Sequence, residues 1–559
     1  MTEAVTIKVS DFGAKVDDGK SDTEQIRAAI NECAGKKNVR VVFEKGRYDL
    51  WPGAEEEKNE RDGYSTFFSF ENVDGLVIEG NGAELIGHEV AGFFMFSKCK
   101  DVTINNLTID MDPLPFTSGK VISARDKTFE LQVSPPHQAL GGVLVEGVLG
   151  YDPEAGRPAV RGLDLYQLDF TGRTKVARPG ILQVPITYKL PEVGANVIVR
   201  HRIYGSSAFT FVKCENTTLE DVTVYAVAGF GVHGADSKDF KLKRYRTMIR
   251  PDSGRWMSAA ADATHFNTCR GTITLEDCLF EGMGDDATNL HLMYLVVIKK
   301  ESRRALRLAI ARDHLWMPTA PRPGDKIEIG GGDVPLIPYA TITVESVEED
   351  REAKEIVVTF TDDLPERTGE GHILGNASAC PKARIRNCIV RNNRARGMLI
   401  QTRDVVLENN RFEYCSGAAL HIASDVNYWN EGMGVRDIVI RNNKFIGCNY
   451  GAARRGAVID IFSELKGGKL APAGVHRSIV IEGNTFENPD GSAIHVNSAD
   501  GVVIRNNKID GPADAAIAVD HSRNVEIIGN ELTNSPKSGL KIGDDRDLET
   551  VKTRNNIGF

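Results

Sequence analysis

The sequence predicts an all-β protein built as a parallel β-helix, in which short strands stack in successive coils. Asparagine recurs every 23 residues at Asn484, Asn507 and Asn530, and the same spacing separates Asn387 from Asn410. Short strands rich in β-branched residues lie between these turn residues, without a helical period, which is typical of a solenoid. A β-propeller is the alternative, but its repeats run to about 40 residues or more. A coil of three short strands therefore fits the spacing better.

The first predicted element is a short amphipathic helix at the head of the solenoid. Ser21 and Glu24 stand at the spacing of a capping box. The apolar residues that follow share one face at helical spacing: Ile26, Ala29, Ile30 and Cys33. A helix of this kind covers the apolar core that a solenoid would otherwise leave open at its end.

Two segments interrupt the repeat, at residues 115–200 and 293–378. Both are richer in Pro and in alternating strand patterns, and we interpret them as inserted β-barrel-like modules that wall the active face. Tolerated surface insertions are the alternative, but the second segment leaves the β-helix directly after Asp285 and Asp286. The predicted organisation is residues 1–114 for the cap and first coils, 115–200 for the first module, 201–292 for the central coils, 293–378 for the second module and 379–559 for the C-terminal coils.

Composition argues against several classes of protein. The 559 residues carry a formal charge of -10, which argues against nucleic acid as a partner. No stretch approaches the roughly 20 apolar residues of a membrane span, so we expect no membrane partner. The start has no signal-peptide pattern, so we expect a cytoplasmic protein, or a secreted or periplasmic one whose signal has been trimmed.

Cysteine usage and short motifs argue against metal and cofactor chemistry. The nine cysteines are odd in number and form no Cys-x-x-Cys pair, so we interpret them as small core residues rather than disulfides or thiolate ligands. The chain contains neither a phosphate-binding Gly-x-x-x-x-Gly-Lys loop nor a His-Glu-x-x-His zinc motif. We expect no cofactor and no metal.

Three aspartates are the strongest chemical signal. Asp262 and Asp285 stand 23 residues apart, which is the repeat spacing, and Asp286 follows directly. One coil brings neighbouring strands to about 4.7–4.9 Å, so the three carboxyls would share one patch and one should keep a proton near neutral pH. An Asp at a coil corner is often a turn residue, but the matched spacing favours acid/base chemistry. Glycoside hydrolysis needs such a pair, with a gap of roughly 6.5–9.5 Å in inverting enzymes.

Several motifs carry a family resemblance. Asp11-Phe12-Gly13-Ala14 with the following helix, and the Gly-Asp-Asp motif one coil after a lone Asp, resemble the pectinase-type β-helix enzymes, including family 28 polygalacturonases. Three ordered motifs are more closely similar to glycoside hydrolase family 110, the exo-acting α-1,3-galactosidases. These motifs are the segment from Ala261 to Phe266, which reads Ala-Asp-Ala-Thr-His-Phe, the segment from Glu281 to His291, and the segment from Asp425 to Gly432.

The resemblance implies a fold, a reaction and a substrate. It implies a right-handed, pectin-lyase-like parallel β-helix that hydrolyses a terminal α-1,3-linked galactose with inversion and without a cofactor. The expected partner is a glycan with terminal α-galactose, and a homodimer is one option for the oligomeric state. The match extends from about Asp11 to about residue 450, and Leu292 stands where family members often have Gly, which puts the subsite shape in doubt.

The resemblance also assigns site residues. Asp262, Asp285 and Asp286 stand at the catalytic positions, and the similarity to polygalacturonases makes Asp285 the general acid and the other two the water-activating pair. Trp429 is interpreted as a stacking platform for a sugar face, with a core tryptophan as the alternative. The expected substrate-binding set is His265, His291, Arg396, Asp425, Trp429 and Glu431.

Two other functions stay open from sequence alone. A β-helix polysaccharide hydrolase of another specificity, or a Ca²⁺-dependent lyase, would use the same scaffold, since three Asp residues offer oxygen ligands for Ca²⁺. A non-catalytic glycan-binding β-helix is the third class, but such a protein has no need of acids spaced by one coil.

Overall fold

The chain winds into coils whose strands stack on those of the next coil, giving three parallel ladders. The computed structural model describes residues 5–52, 65–166, 172–310, 319–350, 352–452, 454–543 and 550–559. Within a ladder the pairing is parallel from the first coils to the last. The prediction of an all-β parallel β-helix is therefore confirmed.

The strands of the three ladders are short and follow one another in chain order. The first ladder comprises Val5–Lys8, Lys37–Val42, the first parts of Asp74–Gly87 and Lys100–Met111, Glu215–Glu220, Lys238–Lys243, Arg270–Glu276, Lys382–Arg386, Arg403–Glu408, Arg436–Arg441, His476–Glu482, Ala499–Arg505, Arg523–Ile528 and Lys552–Arg554. The second comprises Gly46–Leu50, the second parts of the same two long strands, Thr223–Val224, Arg246–Thr247, Leu279–Glu281, Ile389–Arg391, Arg411–Glu413, Lys444–Ile446, Thr485–Glu487, Lys508–Asp510 and Glu531–Thr533. The third comprises Thr66–Glu71, Gly92–Ser97, Phe209–Val212, Val232–Ala235, Thr264–Asn267, Thr288–His291, Met398–Gln401, Leu420–Asp425, Ala457–Leu465, which also pairs with Lys469–Leu470, then Ser492–Asn497, Ile517–Asp520 and Leu540–Ile542.

The core lies between the three ladders and is built from in-register stacks. In the first ladder Leu242 pairs with Leu275, and Leu275 with Ile385. All three are fully buried, and a buried side chain of this size contributes about 1.5–3 kcal/mol of transfer free energy. Eight of the nine cysteines are buried and all nine are free, which confirms their interpretation as core residues.

An asparagine ladder closes one corner of the C-terminal coils. The Asn484 side-chain N–H donates to Asn507 Oδ1 at 3.0 Å, and the Asn507 side-chain N–H donates to Asn530 Oδ1 at 2.9 Å. The expected stack of these three residues is confirmed. The expected membership of Asn387 is wrong, because the register between these two coils is 22 residues and Cys388 pairs with Asn410 in its place.

A helix covers the N-terminal end of the core, as expected. A 3₁₀ turn at Val9–Phe12 precedes an α-helix at Thr23–Asn31, which buries Ile26, Ala29 and Ile30. The predicted capping box is wrong. The N-cap is Asp22, whose side chain accepts a hydrogen bond from the Lys15 backbone N–H instead of one from the helix. A second 3₁₀ turn lies at Ala377–Ala379.

Two modules interrupt the coils. The second is a closed barrel of six antiparallel strands: Leu295–Lys300, Ala305–Ala309, Lys326–Gly330, Ala340–Asp350, Glu355–Phe360 and Ile373–Asn376. The first is an antiparallel sheet of Phe116–Arg125, Thr128–Val133, Gly147–Asp152, Arg157–Pro158, Asp164–Tyr166, Lys175–Arg178, Ile181–Pro185 and Asn196–Arg200. An antiparallel bridge between Leu144 and Arg173 links the segments that precede Gly147–Asp152 and Lys175–Arg178. The module has its own apolar core. Among the described residues, no helix is long and apolar enough to span a bilayer.

Candidate active site

The three aspartates meet in the turns that lead into neighbouring strands of the third ladder. Asp262 precedes Thr264–Asn267, and Asp285 and Asp286 precede Thr288–His291. All three are buried, at 3%, 4% and 1% exposure, and one carboxylate oxygen from each lies within 4.8 Å of the others. Gly284 is required before them, because a Cβ there would lie 2.3 Å from the Ala260 carbonyl oxygen.

The register pairs Asp262 with Asp286 rather than with Asp285. Thr264 pairs with Thr288, an offset of 24 residues, and the Ala263 N–H donates to the Asp286 carbonyl at 2.9 Å. This coil is one residue longer than the C-terminal repeat. The predicted clustering of the three acids is therefore confirmed, but the 23-residue spacing aligned the wrong pair, and Asp285 lies beside the column rather than in it.

Asp286 is held by Arg396 from the following coil. The Arg396 Nη2 donates to Asp286 Oδ2 at 2.7 Å, and its Nε and backbone N–H both donate to Oδ1 at 3.0 Å. Burial, with the charges of Asp285 and Asp262, raises the pKa of Asp286 to about 7, although the Arg396 guanidinium lowers it. Arg396, expected to bind sugar hydroxyls, is thus first of all the counter-ion of an acid.

Asp285 is surrounded by donors that favour its ionised form. The Arg394 Nη1 donates to Oδ1 at 3.1 Å, and the hydroxyls of Tyr166 and Tyr204 donate to Oδ2. Burial raises the pKa of Asp285, but Arg394, Arg396 and the Tyr166 hydroxyl outweigh it, so the pKa is lowered below its usual value. The expectation that Asp285 is the general acid conflicts with this environment, which favours a carboxylate.

Asp262 is the acid whose environment most favours a proton. Its Oδ2 lies 2.7 Å from His265 Nδ1, and its Oδ1 accepts the Asp286 backbone N–H at 3.3 Å. Burial and the Asp285 charge raise the pKa of Asp262 well above its usual range. The cluster titrates as a coupled set, within which burial and the Asp285 charge favour the protonated form of Asp262.

The other predicted binding residues lie on one side of Asp262. His265 Nε2 contacts His291 Nε2 at 2.9 Å, and His291 Nε2 lies 3.6 Å from Glu431 Oε1. His291 and Glu431 are buried. The structure therefore places both histidines and Glu431 near the acids. They form a row of side chains that starts at Asp262 and is buried at His291 and Glu431.

Asp425 and Trp429 lie in the loop that carries Glu431. Asp425 Oδ1 accepts the backbone N–H groups of Asn427 and Tyr428 at 2.7 and 2.9 Å, so this carboxylate fixes the loop. Trp429 is half-buried and its ring meets the Tyr428 ring edge-on at 4.6 Å. Tyr428 is 49% exposed, so the loop presents aromatic surface to solvent, as a sugar platform would.

Several residues at the site were not found from sequence. Tyr166 and Asp164 come from the first module, and Asp164 accepts from Arg394 Nε at 3.1 Å. Arg200, at the end of the same module, donates through Nη1 to the Gly284 carbonyl at 2.8 Å. The insertions have no repeat that aligns them with the coils, so the sequence could not place their residues at the site. Arg394 lies in the coils, two residues before Arg396, and its position could have been found from the sequence.

The three carboxylates also form the group most suited to a cation among the described residues. Two of them are already paired with arginine side chains, at 3.1 Å for Arg394 with Asp285 and 2.7 Å for Arg396 with Asp286. Guanidinium groups supply the compensating charge that a divalent cation would otherwise bring. The donor set therefore fits proton transfer better than metal binding.

Comparison with known proteins gives both fold and sequence relatives. A family model described as "Right handed beta helix region" matches residues 358–467 and 473–557. The chain is 29% identical to alpha-1,3-galactosidase A of Bacteroides fragilis over 89% of its own length and 86% of that protein. It is 28% identical to alpha-1,3-galactosidase B of Akkermansia muciniphila, over 89% of its own length and 65% of that protein.

Among solved structures, the chain resembles a family 28 exopolygalacturonase of Yersinia enterocolitica. The sequence identity is 14% and the TM-score is 0.49, over 97% of this chain and 79% of that one.

Proposed function

We propose that this protein is a glycoside hydrolase of the family 110 type, which removes terminal α-1,3-linked galactose from a glycan. The observation that carries the proposal is a buried group of three aspartates in three different charge environments. Pairs of acids with divergent pKa values are the equipment of acid/base hydrolysis. The similarity to alpha-1,3-galactosidases over 89% of the chain supports the substrate.

The roles follow from the charges around each acid. Asp262 keeps its proton and gives it to the glycosidic oxygen as the bond from that oxygen to C1 breaks. Asp285 is the carboxylate that takes a proton from water, whose oxygen forms the new bond to C1. Asp286 forms an ion pair with Arg396 and stabilises the positive charge that develops on the sugar. This assignment exchanges the roles that the polygalacturonase resemblance implies for Asp262 and Asp285.

We infer inversion from the hydrogen bonds that engage the carboxylate oxygens, not from the distance between the carboxyl groups. The closest oxygens lie within 4.8 Å, which is below the roughly 6.5–9.5 Å usual for inverting enzymes. Asp285 and Asp286 nevertheless have both oxygens engaged by arginine or tyrosine donors. Such donors lower the nucleophilicity of a carboxylate, which disfavours a covalent glycosyl-enzyme and favours direct attack by water.

One experiment tests both parts of the proposal. The protein is incubated with α-1,3-, α-1,4- and α-1,6-linked galactosides and a β-galactoside, and the products are followed by proton NMR from the first minutes. We expect β-galactose to appear first, from the α-1,3 substrate, with and without EDTA. An initial α-anomer contradicts inversion.

Other outcomes distinguish the alternatives. An unsaturated sugar whose formation requires Ca²⁺ indicates a lyase. Glycan binding without any product indicates a non-catalytic β-helix, and release of galactose from another linkage indicates a hydrolase of different specificity.

A further inference from the structure

An arginine without an ion pair lies near the three aspartates. Arg455 stands in the turn before the third-ladder strand Ala457–Leu465, and the Asn449 side chain binds both its backbone N–H and its backbone carbonyl, at 2.7 and 2.9 Å. Among the described residues, no acceptor pairs with the Arg455 guanidinium. The neighbouring Arg454, in contrast, pairs with Asp490 at 3.5 Å. The turn therefore fixes the backbone of Arg455 and leaves its side-chain donors unused.

Arg455 is accessible to solvent and at the same time enclosed by protein. The residue is exposed, yet burial by the surrounding atoms lowers its pKa, as does the charge of Arg396. The two observations agree because a side chain in an open cleft is both reachable by solvent and surrounded by protein. Asp460 and Asp286 are among the charges that act on Arg455, so this cleft extends toward the three aspartates.

His421 carries a second unused polar atom beside the same cleft. It lies in the third-ladder strand Leu420–Asp425, is 6% exposed and places Nδ1 at 3.1 Å from Asp460 Oδ2. Its Nε2 has no partner among the described residues. Arg455 and Arg396 are among the charges that act on the ring. A nearly buried imidazole nitrogen and an unpaired guanidinium therefore border one space.

The charge of Asp460 is matched by His495 and not by His421. His495 Nδ1 lies 2.8 Å from Asp460 Oδ1, and its Nε2 lies 3.2 Å from Asp520 Oδ2. Burial opposes a charged His495 ring, but the two carboxylates outweigh burial and raise the pKa of His495 to about 9. Burial lowers the pKa of His421, and its contact with Asp460 does not compensate. A neutral ring beside a carboxylate keeps its hydrogen on Nδ1, so Nε2 of His421 is an acceptor.

A guanidinium donor and an imidazole acceptor together fit a neutral hydroxyl group. A hydroxyl accepts a hydrogen bond from Arg455 and donates its own hydrogen to His421 Nε2. A carboxylate or a sulfate group has no hydrogen to donate, and it would meet the negative charges of Asp460, Asp286 and Glu464. The complementary ligand is therefore a neutral polyol such as a sugar.

The spacing of the coils suits a single sugar ring. The turns of Asp262, Asp286 and Arg396 lead into three successive third-ladder strands, and those of His421 and Arg455 follow in the next two. Each coil adds about 4.7–4.9 Å, so two coils, or roughly 9–10 Å, separate the turns of Arg396 and Arg455. One sugar ring held at the aspartates can reach across this distance with the help of the long Arg455 side chain.

We propose that His421 and Arg455 together bind one hydroxyl group of the terminal galactose. The inference deepens the proposed hydrolase function and rests on it. In that function Asp262 protonates the leaving oxygen, whereas Arg455 lies four coils further along and in the field of Asp286. The leaving group therefore lies on the Asp262 side, and the ring that meets Arg455 is that of galactose.

The first test is Arg455→Met, measured on an aryl α-galactoside and on an α-1,3-linked galactose disaccharide. The variant loses a hydrogen bond from a charged donor, so KM should rise by at least about tenfold on both substrates. We expect kcat to stay within about threefold of wild type, since the contact is made equally in the ground and transition states. Arg454→Met is the matched control and should change neither constant. A rise in KM on the disaccharide alone would assign Arg455 to the leaving sugar and overturn the inference.

Two variants of His421 separate its acceptor from its contact with Asp460. His421→Asn keeps an amide near Asp460 but removes the Nε2 position, whereas His421→Gln extends an amide to that position. We expect KM to rise in His421→Asn and to stay closer to wild type in His421→Gln. The double variant of His421→Asn and Arg455→Met should lose less than the product of the single losses, because both residues bind one hydroxyl. Independent losses contradict a shared hydroxyl, and Arg455→Met alone still tests the site if His421→Asn does not fold.

Monodeoxy aryl α-galactosides identify the hydroxyl group. Removal of the bound hydroxyl should raise KM for the wild-type protein and leave KM of Arg455→Met unchanged, since that variant has already lost the contact. If no deoxygenated position gives this result, Arg455 does not bind galactose and the inference fails.

Direct binding separates failure of the inference from failure of the proposed function. If the wild-type protein cleaves no galactoside, calorimetry with methyl α-D-galactoside still measures the site. Binding by the wild-type protein and Arg454→Met that is weakened in Arg455→Met supports the inference without hydrolysis. Equal binding by all three proteins, or normal hydrolysis with an unchanged KM in Arg455→Met, contradicts it.

Discussion

At the scale of single residues, the site gives three identical side chains different chemistry. Asp285 faces Arg394 and two tyrosine hydroxyls, whereas Asp262 faces one histidine and one backbone N–H. Asp286 faces the Arg396 guanidinium. Burial raises the pKa of all three, so the difference comes from the donors that each carboxylate meets.

The Asn variants of the three acids test this assignment. Each substitution keeps the shape but removes a proton donor or a charge, and acid/base groups contribute typically 10²–10⁴-fold. We expect Asp262→Asn, Asp285→Asn and Asp286→Asn to fold normally and each to lose at least about two orders of magnitude in kcat. On an aryl α-galactoside with an activated leaving group, Asp262→Asn should be partly spared, because such a group needs little protonation.

The control for this prediction is Asp285→Asn on the same activated substrate, which should stay inactive. Sparing of Asp285→Asn instead would restore the roles implied by the polygalacturonase resemblance. Near-full activity of Asp262→Asn on both substrates would mean that its position beside Asp286 is structural.

The sequence predicted which residues lie close together where the repeat provided alignment. The spacing identified the three acids, and the family motifs identified His265, His291 and Glu431 as neighbours of the site. It did not find Tyr166 or Arg200, because both contribute from an insertion whose pairing with the coils depends on tertiary contacts. The charge environment of Asp285 could not be predicted either, since it depends on Tyr166, Tyr204 and Arg394.

At the scale of elements, the coils are held in register by buried polar ladders as well as by apolar stacks. Asn507 Oδ1 accepts from both the backbone and the side-chain N–H of Asn484, and the Asn507 side chain donates to Asn530 and to the Ile481 carbonyl. The offset between paired residues of neighbouring coils varies along the chain, for example 22, 23, 24 and 33 residues at four places. A constant 23-residue repeat therefore predicted the stack at Asn484 and Asn507 but misplaced Asn387.

Asn507→Ala should destabilise the C-terminal coils. The substitution leaves the backbone N–H and one side-chain N–H of Asn484 without their acceptor in the core, and an unsatisfied buried polar group costs about 1–3 kcal/mol. We expect the free energy of unfolding to fall by at least about 2 kcal/mol, measured from the urea midpoint by circular dichroism. Lys508→Ala, on the adjacent exposed position, is the control and should change it by less than about 0.5 kcal/mol. An unchanged midpoint for Asn507→Ala would mean that water replaces the lost bonds.

At the scale of the whole molecule, the first module completes a site that the β-helix alone leaves unfinished. Tyr166 of that module donates to Asp285, and Asp164 of the same module shares Arg394 with Asp285. The module meets the C-terminal coils again through an exposed ion pair of Arg161 with Asp490. The first contact is buried beside the three aspartates and the second lies at the surface, so variants of the two can separate an effect on activity from an effect on the packing of the module.

Asp164→Asn should reduce activity without unfolding the β-helix. Arg394 would keep its bond to Asp285 but lose the carboxylate that orients its Nε, so the Asp285 and Tyr166 contacts would loosen. Small displacements of this kind cost up to about 10²-fold in rate, and we expect kcat/KM to fall by about one order of magnitude or more. Amide hydrogen exchange should become faster at Asp164–Tyr166 and Gly147–Asp152 and stay unchanged in the C-terminal coils. Arg161→Ala is the matched control, because an exposed pair is worth about 0–1 kcal/mol and its loss should change neither readout. If both variants behave like wild type, the first module is a passive wall, and the charge on Asp285 is fixed by the coils alone.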